Sequence, residues 1–339
     1  MIGPSGGTGT VHDGGNHPER QARIDAVMAG VADLAPDLGS ELEVVPPVPA
    51  DAAALERVHT VDYLQRLEQF CLAGGGNLDL DTFARPDSWE AALLSAGAGL
   101  QAIDILRERG DGVAFVATRP PGHHAVGDRS MGFCLLNNVA VSAAALVATG
   151  ERVLIVDWDV HHGNGTQAMF WDDPSVLYVS THQSPFYPGT GEADEVGGAA
   201  ARGLTVNVPL PAGATGDVVQ QALDVVAAPA IDAFNPTWVL ISAGFDAHRG
   251  DPLADLALSG GDFAQLARTV SAYAPRPGRL VVVLEGGYDL EGLRSSVAAT
   301  LGALTGASWP DEGESPTSGG PGAELVARAS QERARVLDG

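Results

Sequence analysis

The run Asp157-Trp158-Asp159-Val160-His161-His162-Gly163-Asn164-Gly165 contains the residues most suited to chemistry. It follows a short apolar stretch, 153–156, which predicts a buried strand, so its side chains should emerge where that strand ends. Asp159 and His161 are two residues apart, and this spacing points two side chains the same way on an extended backbone. A carboxylate and an imidazole aimed at one point supply two of the three protein ligands of a catalytic zinc ion.

Two further segments supply the remaining parts of such a site. The segment Pro120-Pro121-Gly122-His123-His124-Ala125 offers a pair of imidazoles, and Ser242-Ala243-Gly244-Phe245-Asp246 ends in a third candidate ligand. A histidine pair by itself is structural about as often as catalytic, but beside a ligand motif a catalytic role is favoured. Together the three segments indicate a zinc-dependent amidohydrolase.

Charge and composition exclude several classes of protein. The chain has 339 residues and a formal net charge of −24, so its surface repels phosphate backbones and direct nucleic-acid binding is not expected. It contains no lysine, which excludes a Walker A phosphate loop and a pyridoxal phosphate Schiff base. Cys71 and Cys134 are too few for a disulfide scaffold or a cysteine zinc site.

The sequence also bears on location. No uninterrupted apolar run is long enough to span a bilayer, and the first seven residues lack the basic start and apolar stretch of a secretory signal. We therefore expect a cytoplasmic protein without membrane contact. The oligomeric state is not readable, and a homo-oligomer stays open.

The apolar patterns predict a single-domain α/β fold with a mostly parallel central sheet and helices on both faces. Residues 1–306 are expected to form the catalytic domain, and 307–339 a flexible segment with a short C-terminal helix over 324–337. Predicted strands cover 113–117, 153–156, 176–179, 204–208, 238–241 and 280–284; predicted helices cover 20–34, 88–109, 138–148, 218–234, 262–273 and 290–304.

The candidate site residues follow these predicted strands. His123 and His124 follow 113–117, Asp246 follows 238–241, and Tyr288 follows 280–284; His182 is expected just beyond 176–179. Ligands of open α/β sheets bind outside the carboxyl ends of the strands. We therefore expect these side chains to meet at one edge of the sheet.

These motifs resemble the histone deacetylase and acetylpolyamine amidohydrolase superfamily. The resemblance extends from His17-Pro18-Glu19-Arg20 to Glu285-Gly286-Gly287-Tyr288, and it includes Gly132-Phe133-Cys134. Asn164 and the Ala-Gly-Phe-Asp form of the third ligand motif are more similar to the class II branch and its bacterial relatives. The resemblance implies the three-layer arginase/deacetylase fold.

By this resemblance, Asp159, His161 and Asp246 would bind one zinc ion, and the same ligands would also accept Fe²⁺. Arginases share the fold and bind two metal ions through an additional Asp, but the matching place here is Gly163. One metal ion per chain is therefore expected. The resemblance also implies a structural potassium site at Asp157 and Ser180.

The resemblance implies a role for each polar residue beside the metal. His124 would be the general base and then the acid, paired with Asn164, while His123 would pair with Asp157. An amide stabilises an imidazolium less than a carboxylate does, so His124 should be the less basic of the two. Tyr288 would donate a hydrogen bond to the oxyanion.

The expected substrate-binding residues are Gly132, Phe133, Tyr187, Leu253 and Asp81. Phe133 and Tyr187 would be the aromatic walls of a tunnel, although core packing is the alternative for each. Asp81 would bind a peptide backbone or cap a turn. Relatives selective for polyamines carry a glutamate at the place of Leu253, so this leucine argues against that mode of selection.

Three further expectations come from the comparison with the family pattern. Arg20 would be an internal arginine near a product exit, or it would have a surface or helix-capping role. The glycine-rich residues 1–10, just before His12-Asp13, would lack the family's first strand. The hypothesis favoured for function is removal of acetyl groups from acetyl-lysine side chains of proteins or peptides; the alternatives are deacetylation of small acetylated amines such as acetylpolyamines, and a non-catalytic acyl-lysine binding protein.

Overall fold

The computed structural model describes residues 1–3, 12, 15–310 and 315–338. Its centre is a six-stranded sheet in which every pair of neighbouring strands is parallel, in the order β3-β8-β7-β4-β5-β6; β1 and β2 form a separate antiparallel pair. The strands are β1 (Gly76–Asn77), β2 (Phe83–Ala84), β3 (Ala114–Val116), β4 (Val153–Asp157), β5 (Val176–Gln183), β6 (Thr205–Leu210), β7 (Trp238–Ala243) and β8 (Leu280–Leu284).

Helices connect these strands and cover both faces of the sheet. A π-helical turn, Leu223–Ala227, joins α7 to α8. The helices are α1 (Ala22–Leu38), α2 (Ala52–Leu55), α3 (Val61–Leu72), α4 (Ser88–Arg109), α5 (Asn138–Val147), α6 (Asn164–Phe170), α7 (Gly216–Ala222), α8 (Ala228–Phe234), α9 (Gly260–Ser271), α10 (Leu290–Thr305) and α11 (Ala323–Asp338).

Alternate residues of the central strand β4 face opposite helical layers. Leu154 and Val156 pack in the apolar cluster that includes residues of α1, α9 and α10. Val153 and Ile155 pack in the cluster that includes residues of α4 and α5. Because both faces of the sheet are buried, its strands are continuously apolar. The predicted three-layer α/β architecture with a parallel sheet is confirmed.

All six predicted strands form, with one difference that affects the site. Strand β5 continues to Gln183, so His182 lies within the strand and not beyond its end. Helix α3 was not predicted, although Thr60 caps it by accepting from the backbone N–H of Tyr63. Its buried side chains, with those of α2 and part of α4, form a third apolar cluster next to the sheet.

Among the described N-terminal residues, 1–3, only Ile2 contacts the sheet as an isolated bridge. Ile2 forms single-residue parallel bridges with Val45 and Val116, and its backbone bonds to Phe115 and Ala117 lie at 2.8 Å. These contacts add one residue to the edge of the sheet next to β3. The rest of the stretch expected to lack a strand, from residue 4 onward, lies outside the described residues.

The C-terminal helix α11 packs against β6. Val326 and Ala329 are buried in the main apolar cluster, and the guanidinium of Arg333 donates to the carbonyls of Gly203 and Thr205. The backbone N–H of Thr317 donates to Asp262 on α9 at 3.0 Å. The division at residue 306 stays a prediction. No helix in the described part of the chain is both long enough and apolar enough to cross a membrane.

Candidate active site

Asp159, His161 and Asp246 form a cluster at the carboxyl ends of β4 and β7, with one potential ligand atom from each within 4.8 Å of the others. Nδ1 of His161 lies 3.1 Å from Oδ1 of Asp159 and 3.3 Å from Oδ2 of Asp246. Oδ2 of Asp246 is buried and has no hydrogen-bond partner among the described residues. A buried carboxylate oxygen without a donor is destabilising unless a cation binds it, so the cluster fits a metal ion.

The two carboxylates control the charge of the histidine between them. Burial opposes a charge on His161, but its hydrogen bond to Asp159 and its contact with the Asp246 carboxylate outweigh burial and raise the pKa of the imidazole to about 10. Burial and the nearby Asp159 carboxylate raise the pKa of Asp246. Metal ligation requires a neutral imidazole, so a metal ion held by these three residues would displace a proton from His161.

Backbone N–H groups hold the ligand carboxylates in place. Oδ1 of Asp246 accepts from Val160 at 3.0 Å, and Oδ2 of Asp159 accepts from Gly286 at 2.9 Å. A Cβ atom at position 286 would lie 2.0 Å from Oδ2 of Asp246. Only glycine therefore allows the segment after β8 to approach both carboxylates.

Gly163 lies in close contact with Asp157 and Tyr178. A Cβ atom at this position would lie 2.2 Å from Oδ2 of Asp157 and 2.6 Å from the hydroxyl of Tyr178. The neighbouring side chains thus occupy the space that an additional bridging carboxylate would need. One metal ion per chain stays a prediction.

His123 lies beside the cluster and is held in a charged form. Its Nδ1 donates to Oδ2 of Asp157 at 3.0 Å, and the hydroxyl of Tyr178 donates to the same oxygen at 3.1 Å. Burial opposes the charge, but Asp159 and Asp157 raise the pKa of His123 well above its ordinary value. The expected pairing of His123 with Asp157 is present.

His124 has the opposite character, although the two rings are only 4.0 Å apart. Its Nδ1 bonds Oδ1 of Asn164 at 2.8 Å, and the amide nitrogen of Asn164 contacts the carbonyl oxygen of His124 and Sδ of Met131. Burial, reinforced by repulsion from His123 and His161, holds the pKa of His124 well below its ordinary value. His124 is therefore neutral at neutral pH, with the proton on Nδ1 and a lone pair on Nε2.

Glu285, whose role was not predicted, holds the backbone of the loop that carries His123 and His124. Its Oε2 accepts from the backbone N–H groups of Gly122 and His123 at 2.7 and 3.1 Å, and its Oε1 accepts from the hydroxyl of Ser242 at 3.1 Å. Burial raises the pKa of this carboxyl group to about 7. A charged residue directly after the apolar strand β8 was the signal that could have identified it.

Tyr288 lies on the same loop and depends on Asp251. Oδ2 of Asp251 accepts from the backbone N–H groups of Tyr288 and Asp289 at 2.7 and 3.2 Å, while its Oδ1 accepts from Leu253 at 2.9 Å. Burial raises the pKa of the Tyr288 phenol well above its ordinary value, so the hydroxyl stays protonated and can donate.

The internal arginine is Arg23; the internal role for Arg20 is wrong, and its partial exposure agrees with the alternative of a surface position. Arg20 is partly exposed, whereas Arg23 is fully buried with its guanidinium 4.9 Å from the centre of the Tyr288 ring. Arg23 also donates to the carbonyl oxygens of Gly287 and Glu285 and pairs with Glu19. Helix α1 begins at Ala22, and this start turns Arg23, not Arg20, toward the site.

Aromatic rings surround the approach to the cluster. Phe133 lies edge-on to Tyr288 at 5.8 Å, and Tyr187 lies edge-on to His124 at 5.1 Å. Phe186, which was not predicted, stacks on His161 at 5.3 Å. Gly132 allows the backbone before Phe133 to lie against the His124 ring, because a Cβ atom at Gly132 would lie 2.4 Å from Cδ2 of His124.

The remaining residues of the predicted set are Asp81, Leu253 and Ser180. Asp81 is exposed and accepts from the hydroxyl of Thr82; Asp79, not Asp81, caps the turn by accepting from the backbone N–H groups of residues 81 and 82. Leu253 is partly exposed and connects to the site through Asp251. Ser180 is paired with Asp157 in the sheet register, and its hydroxyl bonds His182 at 3.0 Å.

Comparison with known proteins identifies the family. Residues 17–304 match the family described as "Histone deacetylase domain". The chain belongs to this family. As a member of the histone deacetylase family it has the arginase/deacetylase fold, and the recognition made from its motifs is confirmed.

Individual relatives agree with this assignment. The chain is 39% identical to a "Probable deacetylase" of Archaeoglobus fulgidus over 81% of this chain and 77% of the relative. It is 38% identical to a "Histone deacetylase-like amidohydrolase" of Pseudomonas aeruginosa over 84% of this chain and 78% of the relative. The crystal structure of the HDA15 HD domain superposes with a TM-score of 0.83 at 36% identity, covering 96% of this chain and 89% of that one. The family supports deacetylase activity, and members are generally metal-dependent.

Proposed function

We propose that this protein is a zinc-dependent deacetylase that removes acetyl groups from the lysine side chains of proteins or peptides. The observation that carries the proposal is the convergence of the Asp159, His161 and Asp246 cluster with a neutral His124 at the carboxyl ends of the strands. A neutral imidazole next to a candidate metal site is the arrangement that amide hydrolysis requires.

Two carboxylates and one imidazole match the ligand set of a catalytic zinc site, which leaves a position open for substrate. When bound, the metal would supply a Lewis acid that polarises the amide carbonyl and acidifies water. Fe²⁺ suits the same ligands and is the alternative metal. A potassium ion near Asp157 and Ser180 would be structural, because both oxygens already hold other residues of the site.

The two histidines divide the proton chemistry between them. Nε2 of His124 is free to take a proton from the attacking water, because Nδ1 is fixed by Asn164. The same nitrogen then delivers the proton to the departing amine. His123, whose pKa is raised by Asp159 and Asp157, would contribute positive charge near the developing oxyanion.

Tyr288 and the aromatic residues would bind the two ends of the acetyl-lysine side chain. The protonated phenol of Tyr288 would donate to the carbonyl oxygen as it becomes an oxyanion. Phe133, Phe186 and Tyr187 would line the path of the four-carbon lysine stem, since apolar walls suit methylene groups.

The test is a side-by-side measurement of kcat/KM on metal-loaded protein with an acetyl-lysine peptide, N-acetylputrescine and acetylspermidine. We expect the peptide to be the best of the three substrates. A higher kcat/KM for the small amines would replace the proposed substrate with an acetylpolyamine. No turnover of any of them, with the peptide still bound, would instead indicate an acyl-lysine binding protein.

A further inference from the structure

Beside the aromatic approach lies a second concave surface, here called the side cleft, with a volume of about 620 Å³. Three segments line it: helix α3, the turn between β1 and β2, and residues 128–131. Its volume is within the range of pockets that hold small molecules or large side chains. The catalytic residues do not line it, so the mechanism described above leaves it unused.

The side cleft shares a boundary with the approach to the cluster. Tyr187, whose ring lies 5.1 Å from that of His124, also lines the cleft. Met131 lines the cleft as well, and its sulfur accepts from the amide of Asn164 at 3.3 Å. A group bound in the cleft is thus one side chain away from the residues that hold the general base.

The lining of the side cleft is largely apolar and open to water. Leu80 at the tip of the turn is fully exposed, while Phe70, Leu78 and Met131 are partly exposed. Apolar side chains at a concave surface gain free energy when an apolar partner removes them from water. They therefore favour an apolar occupant.

The side cleft has charged groups of both signs, so they do not strongly favour an acidic or a basic ligand. Three carboxylates, Asp79, Asp81 and Asp128, lie with two guanidiniums, Arg66 and Arg129. Arg66 donates to the backbone carbonyl of Asp128 at 3.1 Å, so part of its hydrogen-bonding capacity ties α3 to the opposite segment. Selection by net charge is accordingly weak, and selection by apolar contact is the stronger effect.

We infer that the side cleft binds a bulky apolar side chain that flanks the acetyl-lysine of a peptide substrate. This inference rests on the proposed deacetylation of acetyl-lysine. Successive residues of an extended peptide advance about 3.3–3.6 Å each, so a residue one or two positions from the acetyl-lysine reaches a cleft that adjoins the approach. An acetylpolyamine has no side chain to place there, which makes the cleft a feature that favours peptides.

The experiment uses metal-loaded protein and five-residue peptides with a central acetyl-lysine among alanines. Each flanking position is replaced in turn by Phe, Leu, Asp or Arg, and kcat/KM is compared with that of the all-alanine peptide. At one flanking position we expect Phe or Leu to raise kcat/KM about tenfold, as burial of a large apolar side chain predicts. Equal rates at all positions, or a preference for Asp or Arg alone, would overturn the inference.

Variants of residues that line the side cleft then test whether the cleft causes the preference for an apolar flanking residue. Leu80→Ala and Phe70→Ala should remove most of the preference for Phe over Ala, while the rate on blocked acetyl-lysine without flanking residues stays the same. Leu72→Ala is the matched control, because Leu72 also belongs to α3 and is 68% exposed but does not line the cleft. A preference that survives in both cleft variants contradicts the assignment.

A separate readout distinguishes failure of the cleft from failure of the proposed function. Absence of turnover with every acetyl-lysine substrate would refute the deacetylase proposal itself. Calorimetric binding of the same peptides to the Tyr288→Phe variant still tests the cleft in that case. We expect tighter binding of the Phe peptide than of the alanine peptide, and equal binding would refute the cleft.

Discussion

The floor of the site and its rim are built in different ways. The floor comprises the metal cluster and the histidine pair; Asp159, Asp246 and His123 there are almost completely buried and positioned by backbone N–H groups or carboxylates. The rim comprises exposed residues such as Leu80, Asp81 and the 38%-exposed Tyr187, drawn from short loops and α3. Chemistry therefore depends on a rigid interior, whereas substrate choice depends on residues that tolerate change.

The largest loss of activity is expected when a carboxylate in the floor is replaced by an amide. Asp246→Asn removes a buried ligand oxygen, and we expect kcat/KM to fall about a thousandfold, equivalent to about 4 kcal/mol, with loss of bound metal. Metal content and kcat/KM on a minimal acetyl-lysine substrate are the measurements. The same change at the rim, Asp128→Asn, should leave both unchanged; full activity of the Asp246 variant would contradict the assigned cluster.

The next largest loss of activity is expected at Tyr288, and Tyr187 at the rim provides the comparison. Tyr288→Phe removes a donor from the site, so kcat should fall about 10²–10³-fold, as loss of one oxyanion donor does elsewhere. KM should change little, because the hydroxyl acts on the oxyanion and not on the bound substrate. Tyr187→Phe, the same change at the rim, should keep kcat, and equal kcat values for the two variants would remove the distinction between floor and rim.

Asp251 connects the floor to the rim because it accepts from the backbone N–H groups of Tyr288 and Leu253. Its role can be tested by the dependence of the free energy of unfolding on pH. Burial, together with the charge of Asp246, raises the pKa of Asp251 to about 7 in the folded protein, compared with about 3.9 for an unperturbed aspartate. The folded state thus binds more protons than the unfolded state between about pH 4 and pH 7, so this group lowers the free energy of unfolding as pH rises through that window.

Asp251→Asn should remove that pH dependence. Its free energy of unfolding, measured with urea on metal-free protein, should fall less from pH 5 to pH 7 than that of the natural sequence. The variant should also lose part of kcat with little change in KM, because an amide oxygen cannot replace both carboxylate oxygens under Tyr288 and Leu253. Asp255→Asn, an exposed change on the same loop, is the control, and identical pH profiles for all three proteins would disprove the role of Asp251.

The smallest change in kcat/KM is expected for a substitution at the rim. Leu253→Glu adds a partly exposed carboxylate on the Asp251 loop, and kcat/KM for acetylspermidine should rise about fivefold or less, the limit for a solvated ion pair. The gain should disappear at high salt, since exposed charges are screened. Leu253→Gln controls for shape; a gain with glutamine as well would mean that charge is not the cause.

The difference between floor and rim also decides what the sequence could predict. The metal cluster was indicated by short motifs that directly follow strands, and the pairs His123–Asp157 and His124–Asn164 were implied by the family resemblance that those motifs carry. The role of Glu285 and Asp251 was missed, because their partners are backbone N–H groups far away along the chain. Arg23 was missed for a similar reason: the start of α1 sets which arginine turns inward.

The sequence by itself determined the six strands of the central sheet, their parallel arrangement and the edge of the sheet at which the chemistry is assembled. Continuous apolar stretches can be buried only within a covered sheet, and polar residues directly after them can meet only at its carboxyl edge. The tertiary structure alone decided the side cleft, the stacking of Phe186 on His161 and the support of Tyr288 by Asp251. These features join segments distant in sequence, and no local pattern of residues specifies how such segments pack.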